Sequence, residues 1–345
     1  MRKNTILNTI LFILPLLLST GCLKDNPNPV NSFVTSDTIN MLIYLESNGD
    51  IINSPATEST FVNAQDLYSN LSNYVILDIR DPQLFADGHI DGAINIQSSE
   101  LLSKVKSIDT SNVILVSQNG QSASYYGGLL RLDGLSNVYI LNFGMAGWND
   151  YFADLWRLNS GDSSFSGYNH FNNLYYNRGP YSKLPEVELS SSGDIKSKIE
   201  ARIQNLLSEE FEDGLTLSTS SQLTTFAADA FRIQIYTDID STFDDQYIAC
   251  YDEPSTYAAG LSHPLVKMHA PHAVLYTYYR DFKSIYYLQT IPTNKKVILY
   301  SRSGHQSAFA TAYLRLLGYT NVRSLLFGAT WLNPFPGSMN YPYVN

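Results

Sequence analysis

Two serines stand where this chain is best placed to do chemistry. Residues 113–132 read VILVSQNGQSASYYGGLLRL, and residues 297–316 read VILYSRSGHQSAFATAYLRL. In each stretch an apolar, strand-type run stops at a serine, Ser117 or Ser301. A short Gly-containing loop follows, and then an apolar helical pattern. A buried strand that feeds a tight loop and a helix start gathers backbone N–H groups around one point, at the positive end of the helix dipole. That point suits a small anion or an activated nucleophile. The candidate nucleophile positions are therefore Ser117 and Ser301. The candidate anion-binding loops are Gln118, Asn119, Gly120, Gln121, Ser122 and Ala123 in the first stretch, and Arg302, Ser303, Gly304, His305, Gln306 and Ser307 in the second. The competing reading, and the favoured one, is a structural turn whose donors bond water or the serine hydroxyl, because a loop that caps a helix must keep its shape. A serine hydrolase would need a base within reach, itself held by a third group. His305 lies four places past Ser301, where a cradle-shaped loop points its side chains outward, and the Gly-x-Ser-x-Gly elbow is absent.

The two stretches belong to a longer repeat. Residues 113–149 align without a gap on 297–333, and 15 of those 37 positions are identical, among them Gly120/Gly304, Arg131/Arg315, Phe143/Phe327 and Gly144/Gly328. A period this long points to two domains rather than a solenoid. The length of 345 residues agrees with two domains, and 44% hydrophobic against 16% charged residues gives enough apolar material for real cores. Apolar runs alternate with helical patterns, so each half is expected to be α/β, with a parallel sheet of about five strands and helices on both faces. In such sheets ligands bind beyond the carboxyl ends of the strands, where the loop after residue 116 lies.

At the N-terminus Arg2 and Lys3 precede an apolar run from Ile6 to Leu18, followed by Ser19, Thr20, Gly21 and Cys22. A basic start, a short apolar middle and small residues before a cut define a secretory signal. The ending on Gly21-Cys22 resembles a bacterial lipobox, which implies cleavage before Cys22 and a lipid on its thiol. The expected organisation is a signal peptide over 1–21, a tether over 22–35, a first domain over 36–165, a linker over 166–190 and a second domain over 191–345. The product is expected outside the cytoplasm, lipid-anchored to a bacterial membrane on its periplasmic face or at the cell surface. Cleavage removes two basic residues, leaving 22 − 2 = 20 basic and 32 acidic side chains, a net charge of −12. Such a surface repels polyphosphates, so no nucleic-acid partner is expected. With two Cys in the chain, one of them Cys22, neither a multi-Cys metal site nor an intramolecular disulfide is expected, and no cofactor.

Taken in order, the mature chain opens with a helical pattern at Ile39, Leu42, Ile43 and Leu45, capped by Ser36 or Asp37 and ended by Asn48-Gly49. A short helix over 64–71 and a strand over 75–79 follow. Residues 75–96, VILDIRDPQLFADGHIDGAINI, carry an Asp-x-Arg strand end (Asp78, Arg80) and a Gly-His-Ile-x-Gly-Ala segment containing His89. Together with the loop 117–123 and Phe143-Gly144-Met145-Ala146-Gly147-Trp148, in that order, they resemble the rhodanese family over about residues 60–150. The resemblance implies an α/β domain with five parallel strands. It further implies that the first loop position is the one where many members carry the Cys whose persulfide moves sulfane sulfur. Here that position is Ser in both halves, and a hydroxyl is neutral at neutral pH and forms no stable persulfide.

Asp78, Arg80 and His89 are expected to brace the neighbouring loops rather than react. The amphipathic helix over 194–211 mirrors the leading helix of the first half, while the front of the second half has diverged, with Cys250 where Asp78 stands. The resulting expectation is a catalytically degenerate envelope lipoprotein that binds a small anion or an envelope protein. The alternative is a sulfurtransferase working through Cys250 or a substrate thiol, although Asp252 and Glu253 beside Cys250 would raise its thiol pKa. Metabolic labelling with a palmitate analogue is expected to mark the wild-type chain in an expressing bacterium and to leave Cys22→Ala unlabelled; label on both, or on neither, contradicts the anchor.

Overall fold

The computed structural model describes residues 36–108, 111–159, 178–189, 192–217, 230–236, 272–277, 280–329 and 335–345. Apolar runs that are buried on both faces become parallel strands here, as the alternation with helices requires. The first sheet consists of β1 (Phe61–Val62), β2 (Tyr74–Asp78), β3 (Ile94–Asn95), β4 (Asn112–Val116) and β5 (Val138–Leu141), all parallel, in the order β1-β5-β4-β2-β3. The second consists of β6 (Thr216–Leu217), β7 (Phe231–Tyr236), β8 (Ala273–Thr277), β9 (Val297–Tyr300) and β10 (Val322–Leu325), in the order β6-β10-β9-β7-β8. Counted within each half, the two orders are the same.

The central strand β4 shows how the pattern works. Val113 and Leu115 face one core while Ile114 and Val116 face another, and all four are fully buried. The second of these cores lies on the outer face of the first sheet. There α2 (Ala64–Ser69) and α6 (Gly144–Trp148) contribute Leu67, Met145 and Trp148.

The first core is shared by both halves. Between the sheets lie α1 (Asp37–Ser47), α5 (Gln121–Leu132), α8 (Ile195–Leu207) and α10 (His305–Leu316), so the helices that follow the two serine loops pack on each other. Their close crossing needs small residues. A Cβ on Gly128 would stand 3.2 Å from the Phe309 ring and 3.3 Å from Ala312 Cβ. The leading helices reach across to the opposite half. Glu46 of α1 accepts from Ser284 N at 2.6 Å, and Glu200 of α8 pairs with Lys106 at 2.7 Å.

Ser36 caps α1 by accepting from Ile39 N, and Asp194 caps α8 by accepting from Ser197 N. Each cap supplies about 1 kcal/mol. Burial of Met41, Leu42 and Leu45, at about 1.5–3 kcal/mol each, decides where α1 docks. The expected helix over 64–71 is α2 followed by a separate 3-10 turn at Leu71–Asn73, and the helix read over 194–211 ends at Leu207, with α9 (Phe211–Gly214) after it.

Residues 335–345, read as part of the second half, pack on the first. Tyr341 N donates to Trp148 O at 3.0 Å, Trp148 Nε1 donates to Pro342 O at 2.8 Å, and Val344 pairs antiparallel with His89. The described part of the linker, 178–189, is tied to α1: Thr38 Oγ1 donates to Pro185 O and accepts from Val187 N. Cys22 and Cys250 lie outside the described residues.

Candidate functional site

Each serine sits at the carboxyl end of a central strand, at 2% exposure. Ser117 Oγ accepts from Gly120 N at 3.1 Å and from Ala123 N at 3.3 Å. Gln121 N turns instead to Asn119 Oδ1 at 2.9 Å. Three of the donors that would make an anion cradle, the N–H groups of Gly120, Gln121 and Ala123, are thus engaged by side chains of the loop itself. In the second loop Ser307 N donates to Ser301 Oγ at 3.2 Å, and Ser307 Oγ bonds Gly304 O and Ser324 Oγ. Arg302 is exposed. Among the described residues no carboxylate or imidazole accepts from either serine hydroxyl, the contact that activates a serine nucleophile.

Asp78 and Arg80 form a buried fork. Arg80 Nε and Nη2 reach Asp78 at 2.7–3.1 Å, Nη2 also donates to Gly88 O at 2.7 Å, and Nη1 reaches Gln118 Oε1 at 3.3 Å. The guanidinium lies over Phe152, 5.4 Å from the ring centre. All three nitrogens are therefore engaged in holding the 88–89 turn and the serine loop. His89 is likewise bound: Nδ1 donates to Phe85 O at 3.0 Å, and its ring stacks on Phe85.

The residue that the loops share at the first position of their helices has a role that the sequence left unread. Gln121 and His305, 184 positions apart, fall on each other when residues 113–149 are aligned with 297–333. Each leaves its own loop and enters that of the other half. His305 Nε2 accepts from Phe143 N at 3.0 Å, while Gln121 Oε1 accepts from Phe327 N at 2.6 Å and its Nε2 donates to Leu325 O at 3.0 Å. Phe143 and Phe327, themselves equivalent, both hold φ = +61°. That left-handed conformation is rare and costly for a bulky side chain, and it persists where the surroundings over-determine it. It brings the next turn against the serine loop, where Met145 N donates to Ser117 O and Ala329 N to Ser301 O. Glycine is obligatory at 144 and 328, because a Cβ there would overlap the serine carbonyl oxygen.

His305 is fixed in one tautomer. Since Nε2 accepts, the proton is on Nδ1, which bonds Ser303 Oγ at 2.7 Å. Phe61, Phe143 and Trp156 surround the ring. Burial pushes its pKa down to about 4, opposed in part by the backbone of Asn119.

A cleft of about 270 Å³ opens on the first loop. It is lined by Ile79, Arg80, Asp81, Leu84, Ser117 and Gln118, with Ser122 and Tyr126 of α5, and closed on one side by Glu210, Phe211 and Glu212 of the second half. Glu212 Oε1 accepts from Ser122 Oγ at 3.0 Å, which holds a carboxylate beside the first turn of α5. No group of three or more His, Cys, Asp and Glu side chains is placed to hold a metal ion among the described residues.

A parallel α/β domain with a serine-bearing loop between central strand and helix, braced by an Asp-Arg fork on the neighbouring strand, defines the class of this first half. Residues 63–151 match the family of the rhodanese-like domain. Similar proteins include the thiosulfate sulfurtransferase GlpE of Ectopseudomonas mendocina, 37% identical over 90 residues, which cover 26% of this chain and 81% of that one. The thiosulfate sulfurtransferase GlpE of Shewanella oneidensis is 33% identical over 76 residues, covering 22% and 75%. The crystal structure of a rhodanese-related protein from Thermoplasma volcanium aligns at 32% identity with a TM-score of 0.23, covering 24% of this chain and 84% of that one. The chain belongs to the rhodanese-like family.

The buried imidazole gives a pH signature. The unfolded chain takes up the His305 proton near pH 6.5, the folded chain only near pH 4. Between these values the unfolded state binds the extra proton, so this contribution is fully present above pH 6.5 and is lost as pH falls, by up to about 1.4 kcal/mol per pH unit. His305→Gln supplies the acceptor that Gln121 already uses in the other loop. It is expected to hold stability at pH 7 within about 1 kcal/mol and to flatten the urea-midpoint slope between pH 6.5 and 4. A slope unchanged in the variant contradicts the assignment.

Proposed function

We propose that this protein is a tandem rhodanese-like lipoprotein of the cell envelope whose sulfur-transfer chemistry is silent and which acts as a binding module. One observation carries the reading. At the position where sulfur transfer needs a thiolate, the Ser117 hydroxyl is locked as acceptor of two loop N–H groups, and among the described residues no base reaches it. A hydroxyl in that place keeps the loop folded and offers neither the low pKa nor the polarisability that a persulfide needs.

The second half is read as a second copy on three grounds: its strand order, its aligned loop and its matching turn, with the Ala329 N–H on Ser301 O where the Met145 N–H meets Ser117 O. Export and the lipid on Cys22 rest on the N-terminal sequence alone. Thiosulfate:cyanide turnover by the purified protein, followed as thiocyanate, is expected at the buffer background. Turnover above that background that disappears in Ser117→Ala would overturn the reading.

A further inference from the structure

On its outer face the first half holds a peptide-like segment, and that segment is the chain's own residues 338–344, Ser-Met-Asn-Tyr-Pro-Tyr-Val. Two tyrosine rings on either side of a proline carry the fit. Tyr341 stacks on Tyr68 of α2, with ring centres 4.1 Å apart and planes at 10°, and leans on Trp148 at 5.1 Å. Tyr343 stacks on Tyr151 at 5.6 Å and meets the edge of Phe152 at 5.0 Å. Its ring fills the space that Gly88 leaves open, where a Cβ would stand 2.6 Å from it.

Between the rings the groove reads main chain. Trp148, 1% exposed, sends its indole N–H to Pro342 O at 2.8 Å, and Asn149 Nδ2 donates to Tyr341 O at 2.8 Å. Met339 N, Tyr341 N and Val344 N donate to the carbonyl oxygens of Gly147, Trp148 and His89. Proline stands at 342, where it has no N–H to lose and biases Tyr341 toward extended backbone. Asn340 turns the segment at φ = +54°, a conformation Asn tolerates, and its Oδ1 accepts from Asp150 N. Main-chain hydrogen bonds for affinity and aromatic pockets for choice are the division of labour of peptide-recognition grooves.

The segment is docked at the surface. None of its residues is buried, and apart from the bridge between Val344 and His89 it forms no helix or sheet ladder. Such a run, with few buried contacts and solvent-exposed hydrogen bonds, opens at low cost. Its departure leaves the Trp148 indole donor in need of another acceptor. Tyr68 and Tyr151 are still 43% and 63% exposed with the segment in place, so ring surface remains for an occupant that covers more of it.

We propose that this groove is a docking site for an uncharged Asn-Tyr-Pro-Tyr-type segment of another protein, and that residues 338–344 fill it in cis until such a segment displaces them. The site lies apart from the serine loops, and the inference goes beyond the reading of their chemistry.

The test uses the ¹⁵N-labelled full chain and a blocked heptapeptide with the sequence of residues 338–344. In the double variant Tyr341→Ala, Tyr343→Ala the tail loses both rings and leaves the groove open. The heptapeptide is expected to shift the amides of residues 88–89 and 147–150 and the Trp148 indole N–H of this variant. The wild-type chain, whose tail competes as a tethered ligand, is expected to bind it at least about tenfold more weakly. A heptapeptide carrying the same two substitutions is expected to bind the variant at least about tenfold more weakly than the native peptide does. Should the double variant fail to fold, excess heptapeptide on the wild-type chain decides: it is expected to release the Met339, Tyr341 and Val344 amides while those of β4 and β9 stay in place. The proposal is overturned if the heptapeptide leaves the groove amides of the folded variant unmoved, if the substituted peptide binds as well as the native one, or if excess peptide never releases the wild-type tail. A wild-type dimer in sedimentation that the heptapeptide dissolves makes a second copy the occupant and overturns it too. None of these readouts involves turnover, so they stand or fall separately from the sulfurtransferase result.

Discussion

Two hydrogen bonds, each from the backbone of one half to a side chain of the other, hold the rest of this structure in place. Phe143 N–H ends on His305 Nε2 and Phe327 N–H ends on Gln121 Oε1. Both donors are buried or partly buried, and an unpaired buried N–H costs about 1–3 kcal/mol. Each half therefore depends on the other to satisfy a loop that its own residues leave unsatisfied. The exchange also fixes which faces meet: α5 and α10 must cross closely enough for residues at their first turns to reach the opposite loop. Gly128 against Phe309 and Ala312 makes that approach possible.

This constraint accounts for the chemistry of the loops as well as their shape. With Gly120 packed against the His305 ring and Gly304 against the Gln121 amide, neither loop can open without separating the halves. Inside the loops Ser117 Oγ accepts from two backbone N–H groups and Ser301 Oγ from one. What stays open is the outer side of the first loop, where Glu210–Glu212 forms a wall. Ser117 is thus held as part of a turn, and Glu210 and Glu212 stand at the edge of the space in front of it.

Much of the fold was legible from residue order. The run 113–116 and the run Val138–Leu141 are strands as read, and the stop at Asn48 ends α1. The pairing of Asp78 with Arg80 as a brace also follows from their spacing at a strand end. Three features were hidden because their partners lie far away in sequence. Gln121 and His305 look like ordinary loop residues until the opposite loop, more than 160 residues away, is placed beside them. The left-handed turn at Phe143 carries no local signal, since a bulky aromatic rarely adopts it. Glu210 and Glu212 stand at the start of α9, beyond Leu207 where α8 ends, and the periodicity of the helix read over 194–211 marks only its packing face. That Gln121 and His305 fall on each other in the aligned stretches was the one available clue, as both can place a single acceptor on a long side chain.

Native-state hydrogen exchange at the Phe143 and Phe327 amides tests the reciprocal exchange most directly. If the halves hold each other's loops as described, both amides open only with global unfolding and exchange at the rate of the slowest amides of β4 and β9. If either amide exchanges through a local opening, orders of magnitude faster than those strands, the halves do not lock each other and the account fails.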